Sequence, residues 1–161
     1  WSYQSIEQPY SDLIEFVGDD TNLTAAKAGT GGITSDATVE EGLGEWLDGV
    51  LVNEGNIEDD CFNIDETTAN AQLGARNDDG TVTIGDFLSS WVVMEDIAAD
   101  AVLWASGPIE SSFGSDADAP LTVSRPQGEG AIVYYSYHTA HSCPTTGFWP
   151  QERILQYLIF E

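Results

Sequence analysis

The chain has 161 residues, enough for one domain of ordinary size, and 42% of them are hydrophobic, including five Trp, six Tyr and six Phe. This apolar content supports a folded core and excludes global disorder. Four basic residues against 28 acidic ones leave a formal net charge of −24, so the surface repels nucleic acid and anionic membranes.

The acidity has three interpretations. The chain is adapted to high salt, or it works outside the cell, where divalent cations screen or bind carboxylates, or its charge serves solubility alone. Because lysine is scarce, in addition to the excess of acidic residues, we favour the first two interpretations. No hydrophobic run reaches the roughly 20 residues of a membrane span, and no signal peptide is visible.

The N-terminal half of the chain predicts few regular elements. A short helix broken at Pro9 precedes a strand around 13–16, and Gly, Asp and Thr make 18–32 a loop. Residues 33–50 alternate between apolar and polar and then change to helical spacing, which predicts a strand followed by a helix. The Asn- and Asp-rich residues 53–80 are the least structured region.

The C-terminal half is strand-like and then helical. The stretches that predict strands are 81–84, 89–94, 100–106, 120–125 and 131–138. Pro150 suits the first turn of a final helix. Apolar residues at helical spacing then predict one face that packs back on the sheet, formed by Ile154, Leu155, Leu158 and Ile159.

Bulky side chains occupy both faces of the strand predicted at 131–138. One face holds Val133, Tyr135 and Tyr137, and the opposite face holds Ile132 and Tyr134. A strand of this kind is typically covered on both sides. We therefore interpret its aromatic residues, like the tryptophans, as core or sheet residues rather than as a carbohydrate-binding platform.

The stretch "GEGAIVYYSYHTAH…WPQERILQYLIFE" resembles the C-terminal end of class I glutamine-amidotransferase-like domains, with ThuA-like domains and similar domains of large bacterial surface proteins as the nearest relatives. These domains end with a glycine turn, a strand, a variable loop and a helix, and "APLTV" (119–123) fits the strand before them. The matching positions are Gly128, Gly130, Val133, Tyr135, Ser136, His138, Leu155, Tyr157, Leu158 and Phe160. The resemblance implies an α/β fold, a flavodoxin-like three-layer domain, with a β-rich irregular middle.

The resemblance also implies that part of the domain is missing from residues 1–161. In such a fold the first strands and the nucleophile turn precede Trp1, so they would lie upstream or on another chain. We expect a single domain over 1–161 whose sheet is completed by another segment. If a neighbouring copy supplies that segment, the protein polymerises through its sheet edge by strand addition.

A catalytic interpretation depends on His138, which matches the base of glutamine amidotransferases by position. Their nucleophile is a cysteine on a strand-to-helix elbow. Here Cys61 lies in an acidic loop and Cys143 follows His138 by five residues, with no cationic neighbour to lower its thiol pKa. His138 and His141 can share a metal with a carboxylate, but we favour a sheet-end histidine that hydrogen-bonds a loop.

The two cysteines also permit a disulfide. Cys61 and Cys143 both lie in polar, loop-like surroundings, and an oxidising compartment would join them. The alternative is a pair of unrelated buried thiols. Neither cysteine belongs to a CxxC motif, which argues against zinc.

The stretch "ARNDDGTVTIGDF" (75–87) resembles a degenerate calcium loop. With Gly80 at the sharp turn, the predicted ligands are Asn77, Asp79, Thr81 through its carbonyl, and Asp86. The first position holds alanine rather than an acidic residue. We therefore favour the alternative, a β-turn at "DDG" that enters the strand "TVTI".

Taken together, the residues and the resemblance predict a non-catalytic module outside the cell or on its surface, for adhesion or assembly. One alternative is part of an amidotransferase- or ThuA-like hydrolase with His138 as base. The other is a calcium-dependent binding module. The expected partner is protein, either another copy or another segment, with calcium or no cofactor, no nucleic acid and no membrane insertion.

Overall fold

The computed structural model describes residues 13–16, 29–53, 71–85, 87–88, 91–111, 114–139 and 148–160. Strands account for 50% of this part of the chain and helices for 18%, so sheets dominate the fold. The strands are β1 (Ile14–Phe16), β2 (Ser35–Val39), β3 (Leu51–Asn53), β4 (Ala71–Leu73), β5 (Val82–Ile84), β6 (Met94–Ile97), β7 (Val102–Ser111), β8 (Gly114–Gln127) and β9 (Gly130–Tyr135). The helices are α1 (Glu41–Asp48) and α2 (Pro150–Phe160).

The central element is a five-stranded sheet in the order β5-β2-β7-β8-β9. Every neighbouring pair in this sheet is antiparallel. Two antiparallel ribbons accompany it, one formed by β1 and β6 and the other by β3 and β4. The described part of the molecule is therefore an antiparallel sheet with two helices, rather than a layered α/β structure.

A two-residue loop joins β8 to β9. Gln127 pairs with Gly130, so only Gly128 and Glu129 lie between the strands. Gly128 has φ of 61°, a left-handed conformation that glycine adopts without steric cost and that two-residue hairpins require. The glycine turn seen in the sequence is thus the turn of a β-hairpin.

The predicted flavodoxin-like three-layer α/β fold is wrong. Parallel neighbours need a crossover of a dozen or more residues, usually a helix, whereas the loop between β8 and β9 makes them antiparallel. The prediction depended on a glycine turn followed by a strand, a loop and a helix. That order also fits an antiparallel hairpin followed by a helix, and the short gap between the strands predicted at 120–125 and 131–138 favours the hairpin.

Eight of the eleven described elements correspond to predictions, whereas β3 and β4 were not predicted and the strand expected at 89–94 overlaps β6 only at Met94. The strand around 13–16 corresponds to β1, the strand and helix in 33–50 to β2 and α1, and the helix from Pro150 to α2. The strand predictions at 81–84, 100–106, 120–125 and 131–138 overlap β5, β7, β8 and β9. The predicted helix near Pro9 lies outside the described residues.

Helix α1 begins and ends with recognisable caps. The Glu40 carboxylate accepts a hydrogen bond from the Leu43 amide at 3.0 Å, and the helix ends at Gly49, whose amide donates to the Trp46 carbonyl. Leu43 and Leu47, one helical turn apart, are completely buried. The capped helix therefore contributes its apolar face to the main core.

The main core lies between the sheet and the two helices. Leu43, Leu47, Val82, Ile84, Leu121 and Ile154 are all completely buried there. In α2 the buried face is formed by Gln151 and Ile154, with Tyr157 and Leu158 packed at its edge. Ile159 was expected on this face but is 59% exposed.

A second, smaller core covers the opposite side of β9. Tyr134 packs edge-on against Phe16 of β1, with ring centroids 5.5 Å apart, and Met94 and Val123 complete the contact. Tyr135 and Tyr137 instead join the main core. The prediction that this strand is covered on both sides is therefore confirmed, although the sheet is antiparallel.

Candidate functional site

The candidate calcium loop folds as the turn of a β-hairpin. The Gly80 amide donates to the Asn77 carbonyl at 2.9 Å, and the Asn77 amide donates to the Thr81 carbonyl at 2.8 Å. Gly80 has φ of 86°, which is the left-handed residue that closes a three-residue hairpin loop. Arg76 and Val82 pair immediately outside this turn.

A network of polar side chains runs from this turn across β5 to β2. The side-chain nitrogen of Asn77, Nδ2, donates to the hydroxyls of Thr81 and Thr83 at 3.0 and 3.1 Å. Each threonine hydroxyl then donates to a carboxylate at 2.6 Å, Thr81 to Asp79 and Thr83 to Asp36. Hydrogen bonds from Thr81 also hold the pKa of the Asp79 carboxyl below its usual value.

The structure brings three predicted calcium ligands together and adds two residues that the sequence did not indicate. Thr83 follows Thr81 by two residues and so shares its face of the strand, which the alternation could have shown. Asp36 joins only because β2 and β5 pair, with Asp36 opposite Thr83. Sequence spacing holds no information about that register.

The arrangement in the turn is a self-satisfied hydrogen-bonded network. The Thr81 carbonyl, expected as a calcium ligand, accepts from the Asn77 amide. Asp86, the last predicted ligand, lies outside the described residues. Within the described ranges no group of three or more His, Cys, Asp and Glu side chains is close enough to hold a metal ion. Calcium binding therefore stays a prediction.

His138, the candidate base, is exposed just after β9. His141 and Cys143 lie outside the described residues, as does Cys61, so neither the alternative of a shared metal nor the expected disulfide is tested by the structure. The antiparallel sheet does change the setting of His138. His138 follows β9, whose described neighbour β8 is antiparallel to it, whereas the amidotransferase resemblance implied an α/β sheet.

A groove of about 580 Å³ lies beside the turn of the β7–β8 hairpin. Residues 32–34 form one wall, and strand residues including Glu110 and Asp116 form the other. Glu110 is also held through its backbone, because its carbonyl accepts from the Thr30 amide at 2.9 Å. The groove was missed in the sequence because its lining segments, 32–34, 108–110 and 115–117, are brought together only by the fold.

The described arginines are all held by contacts within the fold. Arg76 binds both carboxylate oxygens of Asp48, and this contact lowers the pKa of the Asp48 carboxyl. Arg125 binds Asp100 at 3.0 Å. Arg153 donates to the Leu51 carbonyl at 3.0 Å and lies 4.3 Å from the centre of the Phe148 ring. The remaining carboxylates therefore leave the surface strongly acidic.

Neither described helix has the length and apolar character needed to cross a bilayer. The geometry of the described residues thus offers a groove whose lining includes Glu110 and Asp116, a hydrogen-bonded polar turn and an exposed histidine, on an antiparallel sheet. Comparison with protein-family models, with curated proteins and with solved structures found no match in any of the three.

Proposed function

We propose that this chain is a non-catalytic module of the extracellular space or cell surface that serves adhesion or assembly. The observation that carries the proposal is that Arg76, Arg125 and Arg153 all make contacts within the protein. In a chain of net charge −24, this leaves a surface dominated by carboxylates. Such a surface suits surroundings rich in salt or divalent cations, where its self-repulsion is screened.

The antiparallel architecture supports an assembly role in particular. The five-stranded sheet packs against the main hydrophobic core. Within the described part of the chain, β9 is an edge strand of this sheet. Edge strands present unpaired backbone groups that pair with other strands unless something protects them. Assembly through strand addition needs no catalytic residues and no cofactor.

Light scattering after size exclusion, over a series from about 0.1 M to about 2 M NaCl, tests this proposal. We expect reversible assembly that grows with salt, because screening removes the repulsion between acidic surfaces. A monomer of unchanged mass at every salt concentration would contradict an assembly role. Hydrolysis of glutamine or a simple amide that disappears in His138→Ala would overturn the non-catalytic part.

A calcium-dependent binding module is the second candidate, favoured by the turn that brings Asn77, Asp79 and Thr81 together. Calcium bound only to the folded protein must raise its melting temperature. We expect a rise that Asp79→Asn abolishes and that the same ionic strength of NaCl does not reproduce. Equal melting temperatures with calcium and with chelator would exclude this candidate.

A further inference from the structure

The outward edge of β9 can be assigned residue by residue. The Ser136 amide donates to the Leu121 carbonyl at 2.9 Å. Opposed residues of an antiparallel pair alternate between bonded and non-bonded pairs, so Tyr134 and Ile132 bond to β8 in the same way. The intervening residues Ala131, Val133 and Tyr135 therefore direct their N–H and C=O groups away from β8.

Proline in β8 agrees with this assignment. Pro126 lies opposite Ala131 and has no N–H, so it cannot donate a hydrogen bond to β9. This fits the assignment of Pro126 and Ala131 as a non-bonded pair, in which no such bond is made. Within the described part of the chain, the outward backbone groups of Ala131, Val133 and Tyr135 have no hydrogen-bond partner. They form a row of donors and acceptors with the spacing of a β-ladder.

Among the described residues, this edge lacks the features that usually prevent strand addition. Edge strands are typically short, charged or interrupted by proline. The opposite edge, β5, has three residues and is packed against α2. By contrast, β9 has six residues, none of them charged and none of them proline.

We infer that β9 pairs with β9 of a second copy of this chain, in antiparallel orientation about a two-fold axis through Val133. In that register Ala131 lies opposite Tyr135 of the second copy and Val133 lies opposite Val133 of the second copy. Every outward N–H then meets an outward C=O, because such an interface is self-complementary. The two five-stranded sheets become one continuous sheet.

Charge favours a second copy over a cationic partner. A cationic segment is attracted to the carboxylates that cover the rest of the surface, rather than to an uncharged strand. Pairing β9 with itself places no carboxylate opposite another carboxylate within the strand. The remaining repulsion between two chains of −24 predicts that the dimer requires salt, whereas complexes with cationic partners weaken as salt is added.

This inference rests on the proposed assembly function and is tested by Ala131→Pro, with Ala131→Thr as the matched control. Proline removes an outward N–H and none of the bonds to β8, whereas threonine keeps the N–H. At about 1 M NaCl, where the screening length is about 3 Å, we expect the wild type and Ala131→Thr to dimerise. We expect Ala131→Pro to raise the dimer dissociation constant at least about tenfold.

Amide exchange of the wild type, followed by NMR, tests the edge without any substitution. In low-salt monomer we expect slow exchange at Ile132 and Tyr134 and fast exchange at Ala131, Val133 and Tyr135. In high salt all five should be slow. Dimers that persist in Ala131→Pro, with fast exchange at the Val133 and Tyr135 amides, would overturn the β9 interface and leave the assembly role intact. A wild-type protein that stays monomeric at every salt concentration would overturn both.

Discussion

Tyr134 and Tyr137 show most clearly how single side chains depend on the two cores. Tyr134 is 7% exposed and Tyr137 is 5% exposed, so both phenols are buried. Burial raises the pKa of each phenol above its ordinary value, and for Tyr137 a hydrogen bond of 2.6 Å with Thr122 offsets part of this rise. The folded state therefore keeps two protons that the unfolded chain loses near pH 10.

Stability should consequently fall at alkaline pH. Above about pH 10 the unfolded state binds fewer protons than the folded state, so the free energy of unfolding decreases by about 1.4 kcal/mol per pH unit for each buried tyrosine. Urea denaturation between about pH 9 and 11 measures this slope. Tyr137→Phe should flatten it by about half, and an unchanged slope would show that Tyr137 ionises freely in the folded protein.

Helix α2 offers a second test at the scale of one residue. Ile154 is completely buried, whereas Ile159 on the same helix is 59% exposed. We expect Ile154→Ala to lower the free energy of unfolding by about 2–5 kcal/mol through lost burial and a cavity, and Ile159→Ala to change it by less than about 0.5 kcal/mol. Similar losses in both variants, measured by chemical denaturation, would contradict the orientation of α2.

Among the elements, the hairpin turn before β5 depends on one glycine. Gly80 has φ of 86°, while Gly49 at the end of α1 has φ of −91°. A side chain at Gly80 is strained in this left-handed conformation, so Gly80→Ala should cost about 1–2 kcal/mol. Gly49→Ala is the matched control, because its backbone suits alanine, and it should be neutral or stabilising. Comparable losses from both would argue against the turn.

The elements also show what the sequence could and could not predict. Local signals were sufficient for α1, α2 and the strands β5, β7, β8 and β9, because alternation, helical spacing and turn residues act over a few residues. Strand order was not accessible in the same way. The pairing of β2 with both β5 and β7, and the meeting of Asp36 with the Asn77 turn, depend on contacts between distant segments.

The fold-class error has the same physical origin. A glycine turn, a two-sided strand and a closing helix satisfy both an α/β domain and the observed antiparallel sheet. The decisive signal was the two-residue spacing between Gln127 and Gly130, which permits a hairpin and no crossover. At the candidate calcium turn, the same kind of local signal, "DDG" before "TVTI", indicated the β-turn that the structure contains.

For the whole molecule, net charge should control stability. Carboxylates outnumber basic groups 28 to 4, and compaction brings like charges closer together. We expect the denaturation midpoint in urea to rise as NaCl increases from about 0.05 M to about 1 M, since the screening length falls from more than 10 Å to about 3 Å. A midpoint that falls with salt would mean that ion pairs such as Arg125 with Asp100 outweigh the repulsion.

The order of strands in the central sheet also has a consequence for how the chain folds. Strands β7, β8 and β9 follow one another along the chain and pair as successive hairpins, so their contacts close short loops. Strand β2 must instead find β7 across a long separation, where Thr38 pairs with Ser106. Since closing a long loop costs more entropy, the meander should form early and the docking of β2 should limit the folding rate.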